Sequence, residues 1–439
     1  MRSGGEQLWV YNAQDCARTY EIWEAQQRVV NQMGLRMPHD FTMELFFPVL
    51  QTMTRGCRID ETLRAQMLDK LQAAEVEGQS WLEAVIGHPI NINSPKQIAE
   101  FFYTEMGQNA YHNRKTGGVT TDDETLTKIG IREPLLLPIV QKIAELRSIG
   151  VFTGTFLKSL TDPDGRLRCA YNIGGTTTFR FSSSENVWGN GTNLQNWSKG
   201  GGLLPNLRQI IIPDPGYTFF DIDLSSSDLR IVVWESNCQR MKEWFLEGKD
   251  PYTEITRTYY NDSSIQKSDP RRQIFKSFCH GTNYLGQAKS LAQRLGLSIA
   301  EAERVQAWYF KTFPEIKAWQ ERIISQVNST SRVRNAFGFQ KTYFDRVDTN
   351  IHREAVAWIG QSTTAIVINL GYLNLYRNCP DIHVLLQVHD SLAGQFPEMD
   401  EGAVGRIREA CTIRIPYPED PLYIPVGVKT SSVSWGDCD

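Results

Sequence analysis

The chain has 439 residues, of which 41% are hydrophobic and 22% charged, and its 46 Lys and Arg against 50 Asp and Glu give a formal net charge of −4. This composition excludes a collagen, a disordered chain and a small disulfide scaffold. At about 150 residues per domain, the length predicts about three globular domains.

The sequence shows no sign of export, membrane insertion or metal-binding cysteines. It has neither a basic-then-apolar N-terminal pattern nor a run of about 18 apolar residues. Its eight Cys lie far apart without a C-x-x-C pair, so we expect reduced thiols in an intracellular protein. The acidic balance counts weakly against a nucleic-acid partner, although residues 265–295 hold six Lys and Arg and one Asp.

The N-terminal third of the chain is predicted to be mainly helical. Periodicity, together with start signals such as Ser-Pro and stop signals such as Gly, predicts helices over residues 1–40, 44–56, 61–86, 94–102 and 134–160.

The remainder alternates between sheet and helix. Residues 166–223 carry β-branched runs that predict strands, and residues 383–396 have two apolar arms that predict a β-hairpin. Residues 240–330, with an amphipathic stretch over 302–319, and residues 353–375 are predicted to be helical. A sheet that the chain leaves and re-enters indicates an α+β fold with an inserted helical subdomain.

Two acids lie on one predicted strand. Because apolar residues alternate with Asp over residues 219–224, Asp221 and Asp223 share the face opposite to the apolar side chains. Either Asp could bind a metal ion, whereas a solvated strand end is the plainer interpretation of one isolated Asp.

A polar stripe lies on the helix that begins near Pro270. Its members follow at steps of four residues: Arg272, Lys276, His280 and Tyr284. This spacing keeps them on one slowly drifting face about 18 Å long. The two cations could hold a triphosphate near the positive end of the helix dipole, and the aromatic could meet a base. A solvated cationic face is the plainer alternative.

A third acid, Asp390, lies at the tip of the predicted hairpin, where residues 387–390 read Gln-Val-His-Asp. By itself it would be a turn residue that bonds its own backbone. Two carboxylates on separate sheet elements, with a cationic helix between them, fit two Mg²⁺ ions about 3.5–4 Å apart that perform an in-line phosphoryl transfer.

These motifs resemble the signatures of the family A, or polymerase I type, DNA polymerases. The palm signature is an Asp, an acid five residues later and then Leu-Arg, which Asp223 and Asp228 match and which selects Asp223 over Asp221. The fingers signature matches the polar stripe with Gly281 between its members, and Gln-Val-His-Asp is the family's third signature. Several motifs in one order make the resemblance specific.

The resemblance covers about residues 41–439 and implies a right-hand fold, with an antiparallel-sheet palm, helical fingers and a helical thumb. Residues 1–40 would be a helical remnant of an exonuclease domain. The other implied segments are thumb with lead-in helices 41–165, first palm part 166–235, fingers 236–344 and second palm part 345–439.

The implied activity is template-dependent addition of dNTPs to a primer 3′-hydroxyl by two-metal phosphoryl transfer. Asp223 and Asp390, with the Leu224 carbonyl, are implied to bind two Mg²⁺ ions, with Mn²⁺ as the alternative ion. Arg272 and Lys276 are implied to neutralise nucleotide phosphates, which makes Lys276 a catalytic group beside the two acids.

The resemblance also implies the nucleotide and DNA contacts. Asp228, His280 and Tyr284 would lie against the sugar and base of the incoming dNTP. Primer and template would be held by Arg180, Asn193, Gln195, Asn196, Gln361 and His389. The implied partners are primer-template DNA and a dNTP, bound by a monomer without a membrane in the cytoplasm of a bacterial or phage-infected cell rather than in an organelle.

The sequence departs from the family's pattern at four positions. Ser391 stands where many relatives have Glu, so a third carboxylate is missing from the hairpin. His280 replaces Phe or Tyr, Leu285 replaces Gly, and Asp228 replaces Glu. These changes leave the chemistry intact, and they predict an altered selectivity for the sugar.

The N-terminus resembles the Tyr-x-x-x-Asp motif of the family's 3′–5′ exonuclease domain, with Tyr11 and Asp15 one helical turn apart. Because the earlier acidic motifs of that site do not precede it, we expect a polymerase without proofreading.

Three alternative functions remain. A single-subunit RNA polymerase would carry a small residue in place of Asp228, and a non-catalytic primer-template-binding factor would not need to retain both Asp223 and Asp390. A two-metal nuclease would not need the polar stripe from Arg272 to Tyr284.

Overall fold

The computed structural model describes residues 4–113 and 116–438, so residues 1–3 and 439 of the two predicted terminal segments lie outside the described residues. The α-helices are α1 Gly4–Gln32, α2 Arg36–Glu44, α3 Phe46–Arg55, α4 Glu61–Ile86, α5 Pro95–Ala99, α6 Asp123–Arg132, α7 Leu137–Val151, α8 Ser227–Ser236, α9 Gln239–Leu246, α10 Pro251–Tyr260, α11 Pro270–Asn283, α12 Ala288–Leu295, α13 Ile299–Thr312, α14 Pro314–Thr330, α15 Thr349–Asn378 and α16 Ala403–Cys411.

The strands are mostly short and pair in antiparallel fashion. They are β1 Cys57–Ile59, β2 Arg166–Leu167, β3 Ala170–Asn172, β4 Ser182–Ser184, β5 Ile211–Ile212, β6 Tyr217–Leu224, β7 Arg332–Arg334, β8 Gln340–Thr342, β9 His383–Val388, β10 Ser391–Pro397, β11 Arg414–Ile415, β12 Leu422–Tyr423 and β13 Val426–Ser431. The largest sheet has four strands in the order β13-β6-β10-β9, so its strands come from separate stretches of the chain.

Strand β6 lies inside this sheet because its sequence suits burial. Phe220, Ile222 and Leu224 are at most 4% exposed, whereas Asp221 and Asp223 alternate with them on the opposite face. The register places the Cα of Asp223 opposite Ser391 of β10 and Gly427 of β13. The predicted strand and its two faces are therefore confirmed.

The predicted hairpin is formed by β9 and β10. They are joined by a tight turn of His389 and Asp390, in which His389 adopts a positive φ of 53°. A non-glycine residue in this conformation is strained unless its surroundings hold it. The turn brings Asp390 to the same end of the sheet as Asp223.

The helical prediction needs two corrections. The predicted helix over residues 1–40 is interrupted, because α1 ends at Gln32 and α2 begins at Arg36, with Gly34 at a positive φ of 67° between them. The amphipathic stretch over residues 302–319 is not one helix, because α13 ends before Phe313 and α14 begins at Pro314. Pro lacks the N–H that would continue the helix and restricts the residue before it, so the chain bends there. Elsewhere the predicted helices 94–102 and 134–160 combine α-helix with π-helical turns at Glu100–Glu105 and Phe152–Leu157.

The buried apolar side chains form two clusters. The larger cluster runs from the four-stranded sheet into the helices α8 to α15. The smaller cluster comprises Leu82, Ile90, Ile92, Ile98, Phe101, Phe102, Leu126, Ile129, Ile139, Val140, Ile143 and Leu146. The smaller cluster lies within the predicted thumb segment, other residues of that segment belong to the larger cluster, and the five segment boundaries stay a prediction.

Over residues 4–113 and 116–438, every helix is too short or too polar to cross a bilayer.

Candidate active site

A cleft of about 910 Å³ opens between the end of β6 and the helices α10 and α11. Among the predicted site residues, those that line it are Asp223, Leu224, Asp228, Arg272, Lys276 and His280. Strand β6 thus brings Asp223 to one wall of the cleft beside Asp228 of α8, and α11 brings the cations to the other, while Asp390 is not among the lining residues.

The two predicted metal ligands have perturbed carboxyl groups. The side chain of Asp223 reaches the solvent of the cleft, but its neighbours remove part of its hydration, and this desolvation raises its pKa. The negative charges of Asp221 and Asp390 raise the pKa of Asp223 further, whereas Lys276 lowers it. The pKa of Asp390 is also raised, mainly by burial. The raised pKa values mean that ionising both carboxyl groups is unfavourable in the free protein. A cation bound near them would compensate the two negative charges.

The donor set fits Mg²⁺. Among the described residues, no group of three or more His, Cys, Asp or Glu is arranged as a metal site. Mg²⁺ is commonly held by one or two carboxylates together with substrate phosphates and water, so the oxygens of Asp223 and Asp390 are sufficient protein ligands. Leu224, whose carbonyl is the third predicted ligand, lines the same cleft.

Arg180 lies directly on Asp390. Its Nη2 donates to Asp390 Oδ1 at 2.8 Å, and the two side chains are 25% and 30% exposed. The positive charge of Arg180 opposes the rise in the pKa of Asp390. Of the atoms described, Arg180 Nε is buried without a hydrogen-bond partner. Arg180 therefore neutralises an acid of the site in addition to its predicted place at the DNA.

Helix α11 begins at Pro270, where the sequence predicts its start, and Asp269 forms its N-cap. Arg272 donates from Nε and Nη2 to the two carboxylate oxygens of Asp250 at 2.7 and 2.8 Å. Asp250 itself caps α10 by accepting from the backbone N–H of Thr253. Arg272 is thus fixed in a bidentate ion pair that holds α11 against α10.

Lys276 is freer than Arg272. Its side chain is exposed to the cleft, and its ammonium lies 6.0 Å from the centre of the Tyr252 ring. Its charge lowers the pKa of Asp223, which is on the opposite wall. Lys276 is therefore placed where a phosphate bound between the two walls would meet it.

The predicted sugar-side residues form one connected group. Tyr284 Oη donates to Asp228 Oδ1 at 3.1 Å, and His280 Nδ1 lies 3.7 Å from Asp228 Oδ2. The rings of His280 and Tyr284 meet edge to face at 5.0 Å. A Cβ on Gly360 of α15 would lie 2.5 Å from Tyr284 Oη, so glycine is required for this close approach.

The predicted DNA-binding residues divide into two sets. Gln195 is 7% exposed, and its Nε2 donates to Gln387 Oε1 at 2.8 Å, while Asn193 accepts from Ser183 Oγ at 2.5 Å. Gln195 holds its loop against β9, and Asn193 ties the same loop to β4. Asn196 and His389 are exposed beside this loop and the hairpin turn, and Gln361 lies on α15 next to Gly360. Asn196 and His389 are therefore accessible to solvent, and Gln361 is partly buried.

Sequence reasoning gave no role to several residues of this site. Arg230 was noted only as part of a signature, yet it lines the cleft, and burial lowers its pKa to about 10. Lys267 and Arg294 also line the cleft, and the basic density of residues 265–295 could have indicated them. The family's spacing selects Asp223 over Asp221, and nothing local in the sequence indicates the partners of Asp221.

The family comparison matches most of the chain. Residues 61–436 match the family model described as DNA polymerase family A. The chain is 28% identical over 390 residues to the thermostable DNA polymerase I of Thermus filiformis, and the aligned region covers 85% of this chain and 45% of that protein. It is 29% identical over 326 residues to DNA polymerase I of Helicobacter pylori, and the aligned region covers 72% of this chain and 35% of that protein. The chain spans about half the length, or less, of the curated relatives it matches.

A solved structure shares the fold. It is the POL domain of Pol1 from M. smegmatis in complex with DNA primer-template and dNTP, with a TM-score of 0.78 and 23% sequence identity over 89% of this chain and 70% of that chain. The similarity confirms the predicted α+β right-hand architecture. Because the family match extends over most of its length, this chain belongs to DNA polymerase family A.

Proposed function

We propose that the chain is a template-dependent DNA polymerase that adds dNTPs to a primer 3′-hydroxyl by two-metal phosphoryl transfer. The observation that carries the proposal is the lining of one cleft by opposite charges, with the carboxylate of Asp223 at the end of β6 and the cations Arg272 and Lys276 on α11. Divalent cations and a polyphosphate are the ligands that such a pair of walls suits.

At the end of the sheet, Asp223 and Asp390 would hold two Mg²⁺ ions, with the Leu224 carbonyl as a further oxygen ligand and Mn²⁺ as the alternative ion. The chemistry that these ions would supply is a lower pKa of the primer 3′-hydroxyl and compensation of the charge on the leaving pyrophosphate. Arg180 now occupies one oxygen of Asp390, so it must move or share that carboxylate when the site is loaded.

On the cationic wall, Lys276 is the group that meets the phosphates of the dNTP, because it is exposed and has no carboxylate within ion-pair distance in the described chain. Its charge counters the negative charge that develops on the phosphates as the bond to the leaving group breaks. Arg272 adds positive potential, while its bond to Asp250 keeps the helix in place.

At the sugar, Asp228 is held by Tyr284 and faced by His280, so these three side chains would close the space around C2′ of the dNTP. Asn196, Gln361 and His389 would contact primer and template, with Arg180 at the primer end. Gln195 and Asn193 would act by holding the loop that carries Asn196.

The proposal includes action as a monomer on primer-template DNA inside a cell, without a membrane. For these 439 residues it also includes no 3′–5′ exonuclease activity. Tyr11 is 62% exposed on α1, one helical turn before Asp15. A primer with a labelled 3′ mismatch should stay intact, and Asp15→Ala should change nothing.

Primer extension on a defined template, with each of the four dNTPs and each of the four NTPs, tests the function. We expect extension that needs the template and Mg²⁺ and prefers dNTPs. A preference for NTPs would indicate an RNA polymerase. DNA binding without extension would indicate a non-catalytic factor, and degradation of the primer without nucleotide would indicate a nuclease.

A further inference from the structure

Asp221 has partners that its place on a strand does not explain. It precedes Asp223 by two residues on β6, and its side chain is 15% exposed. Ser391 Oγ donates to Asp221 Oδ1 at 2.6 Å, and Trp435 Nε1 donates to Asp221 Oδ2 at 3.1 Å. Both carboxylate oxygens are therefore bonded to other parts of the chain.

Ser391 connects this carboxylate to the hairpin turn. Ser391 directly follows Asp390, and its Cα lies opposite that of Asp223 in the pairing of β10 with β6. The hydrogen bond from Ser391 to Asp221 thus ties the first residue after the turn to the strand that carries Asp223. A hydroxyl that donates to a charged acceptor contributes more than a neutral pair does.

A second set of contacts holds Asp221 from the C-terminal side. Arg208 Nη1 lies 3.8 Å from Asp221 Oδ2, and the Arg208 guanidinium lies 4.2 Å from the centre of the Trp435 ring. These contacts leave the Asp221 carboxylate little freedom. The acceptor that Ser391 uses is consequently fixed relative to β6.

The turn needs such support, because His389 is strained at a positive φ. Gln387 Nε2 bonds the His389 carbonyl and holds the turn from its β9 side. On the β10 side, the bond from Ser391 to Asp221 is the corresponding support. The negative charge of Asp221 repels that of Asp223 on the same strand, and fixing the turn is the gain that offsets this electrostatic cost.

We infer that Asp221 is a positioning residue: through Ser391 it fixes the turn that carries Asp390 against the strand that carries Asp223. Ser391 stands where many relatives have Glu, and in this chain its hydroxyl donates to a carboxylate of the neighbouring strand, that of Asp221. This inference rests on the proposed function.

The test compares single and double removal of the bond. Asp221→Asn keeps an acceptor without the charge, Ser391→Ala removes the donor, and Ser391→Thr keeps the hydroxyl. Ser434→Ala is the matched control, because Ser434 Oγ also donates to a carboxylate, that of Asp437 at 2.5 Å, outside the cleft. For each variant of the full chain, we would measure kcat and KM for dNTP, the melting temperature and the binding of Mn²⁺ alone by electron paramagnetic resonance.

Asp221→Asn and Ser391→Ala should each lower kcat about tenfold with an unchanged KM for dNTP, since a hydrogen bond to a charged group is lost. Each should weaken Mn²⁺ binding by about threefold or more, and the double variant should be no worse than the worse single variant. Ser391→Thr should retain wild-type values, and Ser434→Ala should change only the melting temperature.

Losses that multiply in the double variant would overturn the inference, as would a Ser391→Ala variant that changes only its melting temperature. Equal losses in Ser391→Thr and Ser391→Ala would also overturn it, because the hydroxyl would then be irrelevant. If the wild-type chain extends no primer, the proposed function fails, and coupling between the two variants in Mn²⁺ binding still decides whether Asp221 positions the turn.

Discussion

The two walls of the cleft are built in different ways. On the sheet, the acids are held before any substrate arrives: Asp390 by Arg180, and the neighbouring Asp221 by Ser391 and Trp435. On α11, Lys276 is exposed, and His280 has 49% of its side chain in solvent. The sheet is therefore organised in advance, whereas the helix presents charges that a ligand must order.

This difference has an energetic consequence. An exposed Lys loses side-chain entropy and hydration when it binds a phosphate, so its full effect appears only when the substrate is in place. For a carboxylate that is already desolvated in the free protein, the loss of hydration is part of the free energy of folding. We therefore expect changes on the sheet to act on the chemical step and on metal binding, and changes on the helix to act also on nucleotide binding. Four predictions test this contrast, beginning with the largest effect.

Asp223→Asn and Asp390→Asn should each lower primer extension by about 10³-fold or more, because loss of a metal ligand removes several kcal/mol of stabilisation from the transition state. Affinity for primer-template should be unchanged or slightly higher, since a negative charge near the phosphates is lost. Single-turnover extension and a DNA-binding titration measure both quantities. Asp69→Asn on α4 is the control, and more than a tenth of wild-type turnover in either acid variant would contradict the assignment.

Lys276→Ala should lower kcat/KM for dNTP by about 10- to 100-fold, with KM raised and kcat lowered, because a charge-assisted contact is worth about 1.5–3 kcal/mol. Affinity for DNA should change little. Steady-state extension at varied dNTP measures the split, with Lys317→Ala on α14 as an exposed control. Weaker DNA binding with an unchanged kcat/KM would assign Lys276 to the primer-template instead.

Asp228→Ala should raise ribonucleotide use relative to dNTP use by about tenfold, because a gate that acts by steric contact is worth about 1–3 kcal/mol. Its absolute rate should fall as the space beside the sugar opens. Tyr284→Phe removes the hydroxyl that bonds Asp228 and should move the ratio in the same direction by less. The measurement is the ratio of kcat/KM for the two sugars, and an unchanged ratio in Asp228→Ala would show that Asp228 does not face the sugar.

The smallest effect is on stability. Desolvation and the charges of Asp221 and Asp390 raise the folded-state pKa of Asp223. The contribution of Asp223 to the stability of the folded state is therefore fully present only below its unfolded pKa of about 4. This contribution is lost as pH rises through the folded-state pKa. Asp223→Asn should therefore raise the melting temperature by about 2 °C at pH 7.5 in EDTA, and this gain should disappear near pH 4. Asp390→Asn should gain less, since Arg180 loses its partner.

These melting curves also test the contrast between the walls. Lys276→Ala should leave the melting temperature unchanged, because its ammonium is exposed to the cleft. Destabilisation by Asp223→Asn at pH 7.5 would mean that positive groups nearby already offset the negative charge of Asp223 in the free protein.

The features that sequence alone predicted are those that local spacing determines. Alternation placed Asp223 opposite the buried face of β6, and steps of four residues placed Lys276 and His280 on one face of α11, because strand and helix periods hold in any fold. The hairpin that carries Asp390 followed from two apolar arms around a turn. The roles of these residues stay predictions until the variants are measured.

The features that sequence alone could not determine depend on contacts between distant residues. Arg272 is bound by Asp250, which is 22 residues away, and Gln195 is buried against Gln387, which is 192 residues away. Asp221 meets Trp435 across 214 residues. Residue type and spacing show that a side chain can form hydrogen bonds or ion pairs. Only the packing of sheet, loop and C-terminal turn decides which partner it meets and how far it is desolvated. The partner in turn decides whether the residue faces the substrate or positions a neighbouring residue.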